Sequence, residues 1–267
     1  MGWYQMFYKI KNTLFIIKAE IIRYLQETFS YRVGIISDII VLSILYLSLI
    51  FLNTGTKLGL YYQTGDSPSL LLLGYIFWSY SISAISRISS EIRTEQVKGT
   101  LQQKFMAIIP FNFILIGTIL SNLMINSIVA IAIIIISKII AGVNIIFTWP
   151  SFIALLITLA GMYGIALIFG AITLRVKKIG QLVFITQVIL LFISDTMTKT
   201  YISESLGKII PLSAGIDLAR KAVGGLNVNI IDWSILITVS TLWLVVGIYA
   251  FKKSQKYVKK HGLLNTY

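Results

Sequence analysis

Long apolar runs alternate with short polar segments along most of the chain. Six of these runs lie at approximately residues 34–52, 69–88, 111–137, 151–174, 181–195 and 232–251. About 20 helical residues rise about 30 Å, the thickness of the hydrocarbon core of a bilayer. The fifth run is the shortest, and the third is long enough to require a tilted helix. The pattern predicts an all-α integral membrane protein with six transmembrane helices.

The first 33 residues have a different pattern. Charged side chains interrupt every apolar run there, so we expect no cleavable signal peptide. Apolar residues instead recur at helical steps of three and four, at Trp3, Phe7, Ile10, Leu14, Ile17, Ile21 and Leu25. A basic amphipathic helix with aromatic residues on its apolar face is typical of the membrane interface, and packing on another protein is the alternative. We therefore predict an interfacial helix over residues 1–33 and a single transmembrane domain over residues 34–267.

Composition excludes several classes of protein. Hydrophobic residues make up 57% of the 267 residues and charged residues 12%, whereas about a quarter of a soluble domain is charged. The chain has no cysteine and one histidine, His261, so we expect no disulfide and no metal site. The net charge of +13 indicates basic loops that face anionic lipid rather than a site for nucleic acid.

Basic residues are distributed unequally between alternate loops. With the N-terminus inside, six of the 23 Lys and Arg residues fall on outer segments and seventeen on inner ones; the outer six are Lys57, Lys138, Lys199, Lys208, Arg220 and Lys221. The positive-inside rule therefore predicts that both termini are cytoplasmic. Five inner lysines follow the last span, at Lys252, Lys253, Lys256, Lys259 and Lys260. We interpret them as a contact with anionic lipid, with a protein partner as the alternative.

The longest polar segment on the predicted inner side lies between the second and third spans, at residues 90–110. We predict a helix over about residues 91–107 that stops before Pro110. Gly99 interrupts this helix and permits either a turn or a close backbone contact. The segment is either a solvated surface helix with ordinary ion pairs or a docking element for a cytoplasmic partner.

The segment before the last span, at about residues 196–230, is too polar to cross the bilayer and too long for a simple connection. It is nevertheless half apolar, and Pro211 interrupts it. We predict a re-entrant helical hairpin that enters the outer leaflet, which requires shielding by surrounding protein. A loop that rests on the bilayer surface is the alternative.

A few polar residues lie inside the predicted spans. Asn122, Asn126 and Gln187 either hydrogen-bond neighbouring helices or line a transport path. Asp38 is an acidic residue inside the first span, within about one turn of the inner surface, and Arg32 lies close enough in the sequence to pair with it.

Two short motifs resemble the permeases of the ABC-2 type transporter family. The first is Glu95-x-x-x-Gly99-Thr100-Leu101 followed by Pro110, and the second is the Pro-Leu…Arg stretch from Ile210 to Arg220. Gln102 and Gln103 differ from the acidic residue that the family often has after the first motif. The resemblance implies a coupling helix that contacts an ATP-binding subunit, with Glu91, Glu95, Lys98, Gly99, Thr100, Leu101 and Lys104. It also implies re-entrant helices that close the outer side, with Pro211, Asp217 and Arg220.

The function implied by this resemblance is that of a permease subunit of an ABC exporter in a bacterial plasma membrane. The chain lacks a phosphate-binding loop, since Gly207-Lys208 has neither the upstream glycine nor the following hydroxyl residue. ATP and Mg²⁺ are therefore expected on a separate ATP-binding cassette subunit, and a second permease copy is expected to complete the path. The family implies an amphipathic cargo such as a drug, an antimicrobial peptide or a lipid-linked compound.

Two other functions remain open at this point. An ion-coupled carrier or channel needs an ionisable group in the membrane, and Asp38 is the candidate. A membrane-embedded lipid-modifying enzyme is suggested faintly by residues 215–220, although the aspartates that would hold metal ions are missing.

Overall fold

The computed structural model describes residues 2–106, 111–145, 147–176, 179–199 and 208–261, with side chains from residue 15 onwards except that of residue 112. Some predicted features lie outside these residues. They are the side chains of the first part of the N-terminal apolar stripe, the last residue of the 91–107 segment together with Pro110, and residues 200–207 of the outer segment.

Over the described ranges the chain is built from ten helices and has no strand. They are α1 Gly2–Ser30, α2 Arg32–Phe51, α3 Thr56–Tyr61, α4 Ser67–Val97, α5 Leu101–Met106, α6 Phe111–Ala141, α7 Trp149–Thr173, α8 Gly180–Ile193, α9 Pro211–Val223 and α10 Ile230–Lys260.

Among these helices, α2, α4, α6, α7 and α10 are long and apolar enough to cross a membrane. The predicted multi-pass, all-helical membrane architecture is therefore confirmed. The fifth predicted span corresponds to α8, which has 14 residues and a length of about 21 Å, shorter than a typical hydrocarbon core. A sixth crossing by α8 stays a prediction.

Helix α4 lies at the centre of the bundle. It packs against α2, α6, α7, α8 and α9. Every residue from Ser69 to Ser81 is buried, on all sides of the helix. The mean hydropathy of this span is 1.4, lower than the 2.4 and 2.5 of the mostly exposed spans of α2 and α6, so the less apolar helix is the one that other helices enclose.

Helices α7 and α10 approach each other through their backbones. A Cβ atom at Gly164 would overlap the backbone of Trp243 and Leu244, and one at Gly247 would overlap the backbone of Gly164. Small residues allow this contact, and it is one of the main ways in which helices associate inside a bilayer.

Two helices continue beyond the predicted spans. Helix α4 runs on without a break to Val97, and α10 runs on to Lys260. The predicted 91–107 helix is consequently not a separate element: its first residues are the last two turns of α4, and its later part contains α5. Pairs such as Arg87 and Glu91, four residues apart at 2.7 Å, support the continuation of α4.

The N-terminal helix α1 packs against α6 and α2 of the same chain. Gly117 of α6 provides the space, because a Cβ atom there would lie 2.7 Å from Cβ of Glu20. Ile17, Ile21 and Leu25 of the predicted apolar stripe are half-buried. The described part of this helix therefore rests on the transmembrane helices with the face that the sequence pattern indicates, while Phe15 is 73% exposed.

Replacing Gly164 by valine should strongly destabilise the protein. The new side chain would overlap backbone atoms that cannot rotate away, and we expect the free energy of unfolding to fall by about 3 kcal/mol. Thermal unfolding in detergent, followed by size-exclusion chromatography, measures this loss. Gly34→Ala is the matched control, because Gly34 is helical with open space around it and alanine there should be neutral or stabilising by less than about 1 kcal/mol. Equal stability of the two variants would contradict the backbone contact.

Candidate functional site

Two glutamates lie buried at the end of α4. Glu91 is 7% exposed and Glu95 is 6% exposed. Glu91 pairs with Arg87 at 2.7 Å, with Arg23 at 3.4 Å and with Lys104 at 3.5 Å. Buried carboxylates are tolerated only when they are paired, and this one has a cation from each of α1, α4 and α5.

Glu95 completes this group, which we call the glutamate cluster (Arg23, Arg87, Glu91, Glu95 and Lys104). Lys104 lies 3.0 Å from Glu95, and the hydroxyl of Thr100 donates a hydrogen bond to the same carboxylate. The cluster thus joins the end of α4 to α5 and to the N-terminal helix α1.

Arg23 of α1 has further acidic neighbours. Its guanidinium donates hydrogen bonds to Glu20 and lies 2.9 Å from Glu27. The hydrogen bonds to Glu20, with smaller contributions from the charges of Glu91 and Glu27, outweigh the effect of burial and raise the pKa of Arg23. Arg23 is therefore a permanent positive charge that links α1 to α4.

The connection between α4 and α5 is a tight turn at Gly99. Gly99 has a φ of +70°, a left-handed conformation that glycine adopts without strain. The backbone N–H of Thr100 donates to the carbonyl of Glu95 at 3.0 Å. Nothing lies within 4 Å of the position of a Cβ atom on Gly99. Of the two predicted roles for this glycine, the structure has the turn and not the close contact.

The turn presents a compact exposed surface, which we call the turn surface (Thr94, Val97, Lys98, Gln103 and Met106). Val97 is 74% exposed and Met106 is 69% exposed, although both are apolar. The predicted contact residues therefore divide into two sets. Lys98 and Gly99 are exposed, whereas Glu91, Glu95 and Leu101 are buried and Thr100 and Lys104 are partly buried.

A second connection ties the same end of α4 to α7 and α10. The side chain of Gln96 is buried and donates to the carbonyl of Thr173 at 3.3 Å. Arg175 donates to Ser254 at 3.1 Å, and Ser254 donates to the carbonyl of Ala171 at 2.7 Å. The sequence analysis did not identify these residues, because their acceptors are mainly backbone carbonyls, which carry no sequence signal.

A cavity of about 470 Å³ lies between α1, α2, α4, α6 and α8. It brings together all three polar residues that were predicted to line a path or to join helices, namely Asn122, Asn126 and Gln187. Four serines of α4, spaced three or four residues apart, form one wall: Ser79, Ser83, Ser86 and Ser90. We call this space the serine cavity.

The three amides of the serine cavity also connect helices. Asn126 donates to Ser83 at 2.7 Å and to the carbonyl of Asn122 at 2.8 Å. Asn122 in turn accepts from Ser83 and donates to Tyr163. Gln187 of α8 donates to Ser86 and to the carbonyl of Ile82. The two predicted roles are therefore compatible in geometry, since these side chains join helices and border the cavity.

Asp38 also borders the serine cavity. The expected ion pair with Arg32 is not formed: among the described residues, no hydrogen bond or ion pair of Asp38 is present. The reason is the direction of the side chains, because residues six apart on a helix do not share a face.

At the opposite end of the bundle, Arg220 of α9 is completely buried. Its guanidinium donates to the backbone carbonyls of Leu70 at 3.0 Å, of Asp195 at 2.5 Å and of Thr196 at 2.8 Å. A Cβ atom at Gly74 would overlap this guanidinium. One side chain thus joins α9 to the start of α4 and to the segment after α8.

Asp217, one helical turn before Lys221, is the centre of an ion-pair group at this end. It lies 2.8 Å from Lys199 and 2.9 Å from Lys221, and the hydroxyl of Tyr62 donates to it at 2.8 Å. Burial opposes ionisation of Asp217, but the hydrogen bonds and charges of Lys199 and Lys221 outweigh it and lower the pKa of the carboxyl group.

The helix α9 is the main element in the described part of the predicted outer hairpin. Pro211 is its first residue and lies against Gly161 of α7. Helix α9 packs against α4, α7 and α10 and buries its apolar face there. Its backbone is therefore shielded by protein, which is the condition that a re-entrant segment requires.

Within the described ranges, no three His, Asp or Glu side chains lie together in a way that could hold a metal ion. The charged side chains are instead arranged as pairs that join helices.

A comparison with known protein families gives a match over most of the chain. The sequence profile of the family described as "ABC-2 type transporter" matches residues 11–223, most of the chain. The chain belongs to this family. A comparison with curated proteins gives no significant match. As an ABC-2 type transporter permease, the chain is a transport subunit that works with a separate ATP-binding cassette subunit.

Replacing Arg220 by lysine should destabilise this permease even though the charge is kept. Lysine lacks the planar fork that reaches three carbonyls at once, so part of the set loses its donor. We expect the free energy of unfolding in detergent to fall by about 2–3 kcal/mol. Arg93→Lys is the control, since Arg93 is exposed and should change nothing. An unchanged melting temperature for Arg220→Lys would contradict the assigned bonds.

The ion pairs of Asp217 should make stability depend on acid pH. Because the pKa of Asp217 in the folded protein lies below its unfolded value of about 3.9, its contribution is present above that value and is lost as pH falls through the folded pKa. Asp217→Asn should therefore be less stable than wild type at pH 7, and the difference should close below about pH 4. Thermal unfolding between pH 3 and pH 7 measures it, and a constant difference would refute the assignment.

Proposed function

We propose that this ABC-2 permease is the membrane subunit of an ATP-driven exporter that moves an amphipathic cargo out of the cytoplasm. Its ATP-binding cassette subunit docks on the turn surface and carries the ATP and Mg²⁺. A second permease copy, identical or similar, completes the path. The membrane is the bacterial plasma membrane, with both termini in the cytoplasm.

The observation that carries this proposal is the position of the glutamate cluster directly behind the turn surface. Glu95 holds Lys104 at 3.0 Å and Thr100 by a hydrogen bond, so the turn and α5 are fastened to the end of α4. Force applied to Lys98 or Val97 would therefore act on α4 rather than bend a loose loop. Both residues remain exposed for a partner.

Helix α4 is suited to transmit such a force through the membrane. It is one continuous helix from Ser67 to Val97, about 46 Å long. At its far end, Leu70 is bonded to Arg220 of α9, the helix of the predicted outer gate. Binding of ATP would thus displace the turn surface, and α4 would carry the displacement to Pro211, Asp217 and Arg220.

The serine cavity is the proposed binding site for cargo, and it lies beside α4. Asn122, Asn126 and Gln187 border it together with one face of α4. A cavity of about 470 Å³ falls in the range of ordinary small-molecule sites. A shift of α4 would change its shape, which is the coupling that an exporter requires.

An ion-coupled carrier is the second candidate function, and the observation in its favour is Asp38 on the wall of this cavity. The enzyme hypothesis has no comparable support. Asp217 is engaged by Lys199 and Lys221, and Arg220 by three carbonyls, so residues 215–220 offer no open metal site in the described structure.

Substitutions on the turn surface test the proposed function. Lys98→Glu should reduce the amount of ATP-binding subunit that co-purifies with the tagged chain from native membranes by about tenfold, because the charge of an exposed contact is reversed. Quantitative mass spectrometry gives the ratio of partner to permease.

Lys57→Glu is the matched control, since Lys57 is an exposed lysine near the opposite end of the bundle. Val97→Asp provides a second test on the same surface. If the partner remains equally bound to the Lys98 and Val97 variants, or if no ATP-binding subunit co-purifies with wild type, the proposed docking surface is wrong.

A further inference from the structure

The hydrogen bonds inside the serine cavity determine which groups are left for a ligand. Asn126 uses both amide hydrogens, one on Ser83 and one on the backbone carbonyl of Asn122. Gln187 does the same with Ser86 and the backbone carbonyl of Ile82. A backbone carbonyl only accepts, so each amide must point its NH₂ group at the protein. The amide oxygens of Asn126 and Gln187 are therefore left over as acceptors.

The serines of α4 contribute in the same way. Ser79, Ser86 and Ser90 each donate their hydroxyl hydrogen to a carbonyl of their own helix, at 2.8, 2.9 and 3.0 Å. A hydroxyl that has donated its hydrogen can only accept further hydrogen bonds. On the wall formed by α4, these three serines can therefore accept hydrogen bonds from a ligand but cannot donate hydrogen bonds to it.

The charges of the serine cavity do not cancel. Arg87 pairs with Glu91 at 2.7 Å and lies over the ring of Tyr24 at 3.9 Å, and its Nε–H has no hydrogen-bond partner among the described residues. Asp38 has no such partner among the described residues. An acceptor-rich wall with one uncompensated carboxylate is complementary to a group that is positively charged and donates hydrogen bonds.

Apolar side chains line much of the rest of the cavity, which Tyr24, Thr28 and Tyr31 also border. Ile35, Leu42, Ile125 and Val129 line it alongside Asp38. One turn beyond Asp38, Val41 also lines the cavity and is 60% exposed, so the wall continues onto the outer face of α2. A bare metal ion would leave this apolar surface and most of the volume unused, whereas an alkyl or aromatic group would cover them.

We propose that the serine cavity binds an amphipathic organic cation, with the ammonium group at Asp38 and the apolar part against α2 and α6. This inference rests on the proposed export function and narrows its cargo to one chemical class, amines with an apolar body. Asp38 acts as the counter-ion, and the oxygens of Asn126, Gln187 and the α4 serines accept the hydrogen bonds of the ammonium group.

A direct binding experiment uses the full chain in phosphatidylcholine nanodiscs, with empty nanodiscs subtracted. The probe is monodansyl-1,6-diaminohexane, and its N-acetylated analogue is the neutral match of nearly equal size. Wild type should bind the amine about tenfold more tightly than the acetylated analogue, measured by dansyl fluorescence. Equal binding of the two probes to wild type would overturn the proposal without reference to any variant.

Three substitutions locate the site. Asp38→Asn should lose the tenfold preference, and Asp38→Glu should keep most of it. Asp66→Asn is the matched control, because Asp66 caps the other end of α4 and asparagine caps a helix equally well. A preference that survives in Asp38→Asn, or that is lost equally in Asp66→Asn, would contradict the assignment to Asp38.

Two further outcomes separate this proposal from its neighbours. Displacement of the amine by sodium chloride but not by choline chloride would assign Asp38 to a metal ion and overturn the organic-cation site. The co-purification experiment with Lys98→Glu is independent of the cavity. If the ATP-binding subunit co-purifies but wild type does not prefer the amine, the export function stands and only the proposed cargo class is wrong. If wild type prefers the amine but no ATP-binding subunit co-purifies, the cation site stands and the proposed export function is wrong.

Discussion

Buried charge at both ends of α4 is the constraint on which the rest of the structure depends. Away from water, a guanidinium or carboxylate must have its hydrogen bonds satisfied by protein. Arg220 meets this requirement with three backbone carbonyls, and Glu91 meets it with cations from three helices. Neither arrangement survives a displacement of α4 by one turn. The central helix is therefore held in register at each end, and the other helices are arranged around it.

The sequence predicted best those features that depend only on residues close together in the chain. Hydropathy identifies the long helices, because every backbone group in a bilayer must be satisfied within the helix. Gly99 indicated either a turn or a close backbone contact before α5, and its positive φ belongs to the turn. The helix and turn predictions concern neighbouring residues and need no knowledge of what lies across the fold. The described part of the apolar stripe of α1 packs on the bundle, whereas the sequence analysis expected this stripe to face the membrane interface or another protein.

The features that the sequence could not reveal depend on distant partners. Glu91 and Glu95 lie in a polar segment and look exposed, yet they are buried because Arg23 and Lys104 converge on them from other helices. Arg220 binds carbonyls, which every residue possesses, so no pattern marks its acceptors. Asp38 was expected beside Arg32 because the two are close in the sequence, whereas residues six apart on a helix lie on different faces.

The glycine contact between α7 and α10 has a mechanical consequence. Where backbones touch directly, as at Gly164 and Gly247, there is no layer of side chains that can exchange rotamers and let one helix slide along the other. The helices α7 and α10 therefore form one rigid unit of the bundle. The opposite flank is packed differently, because α2 and α8 meet α4 beside the serine cavity.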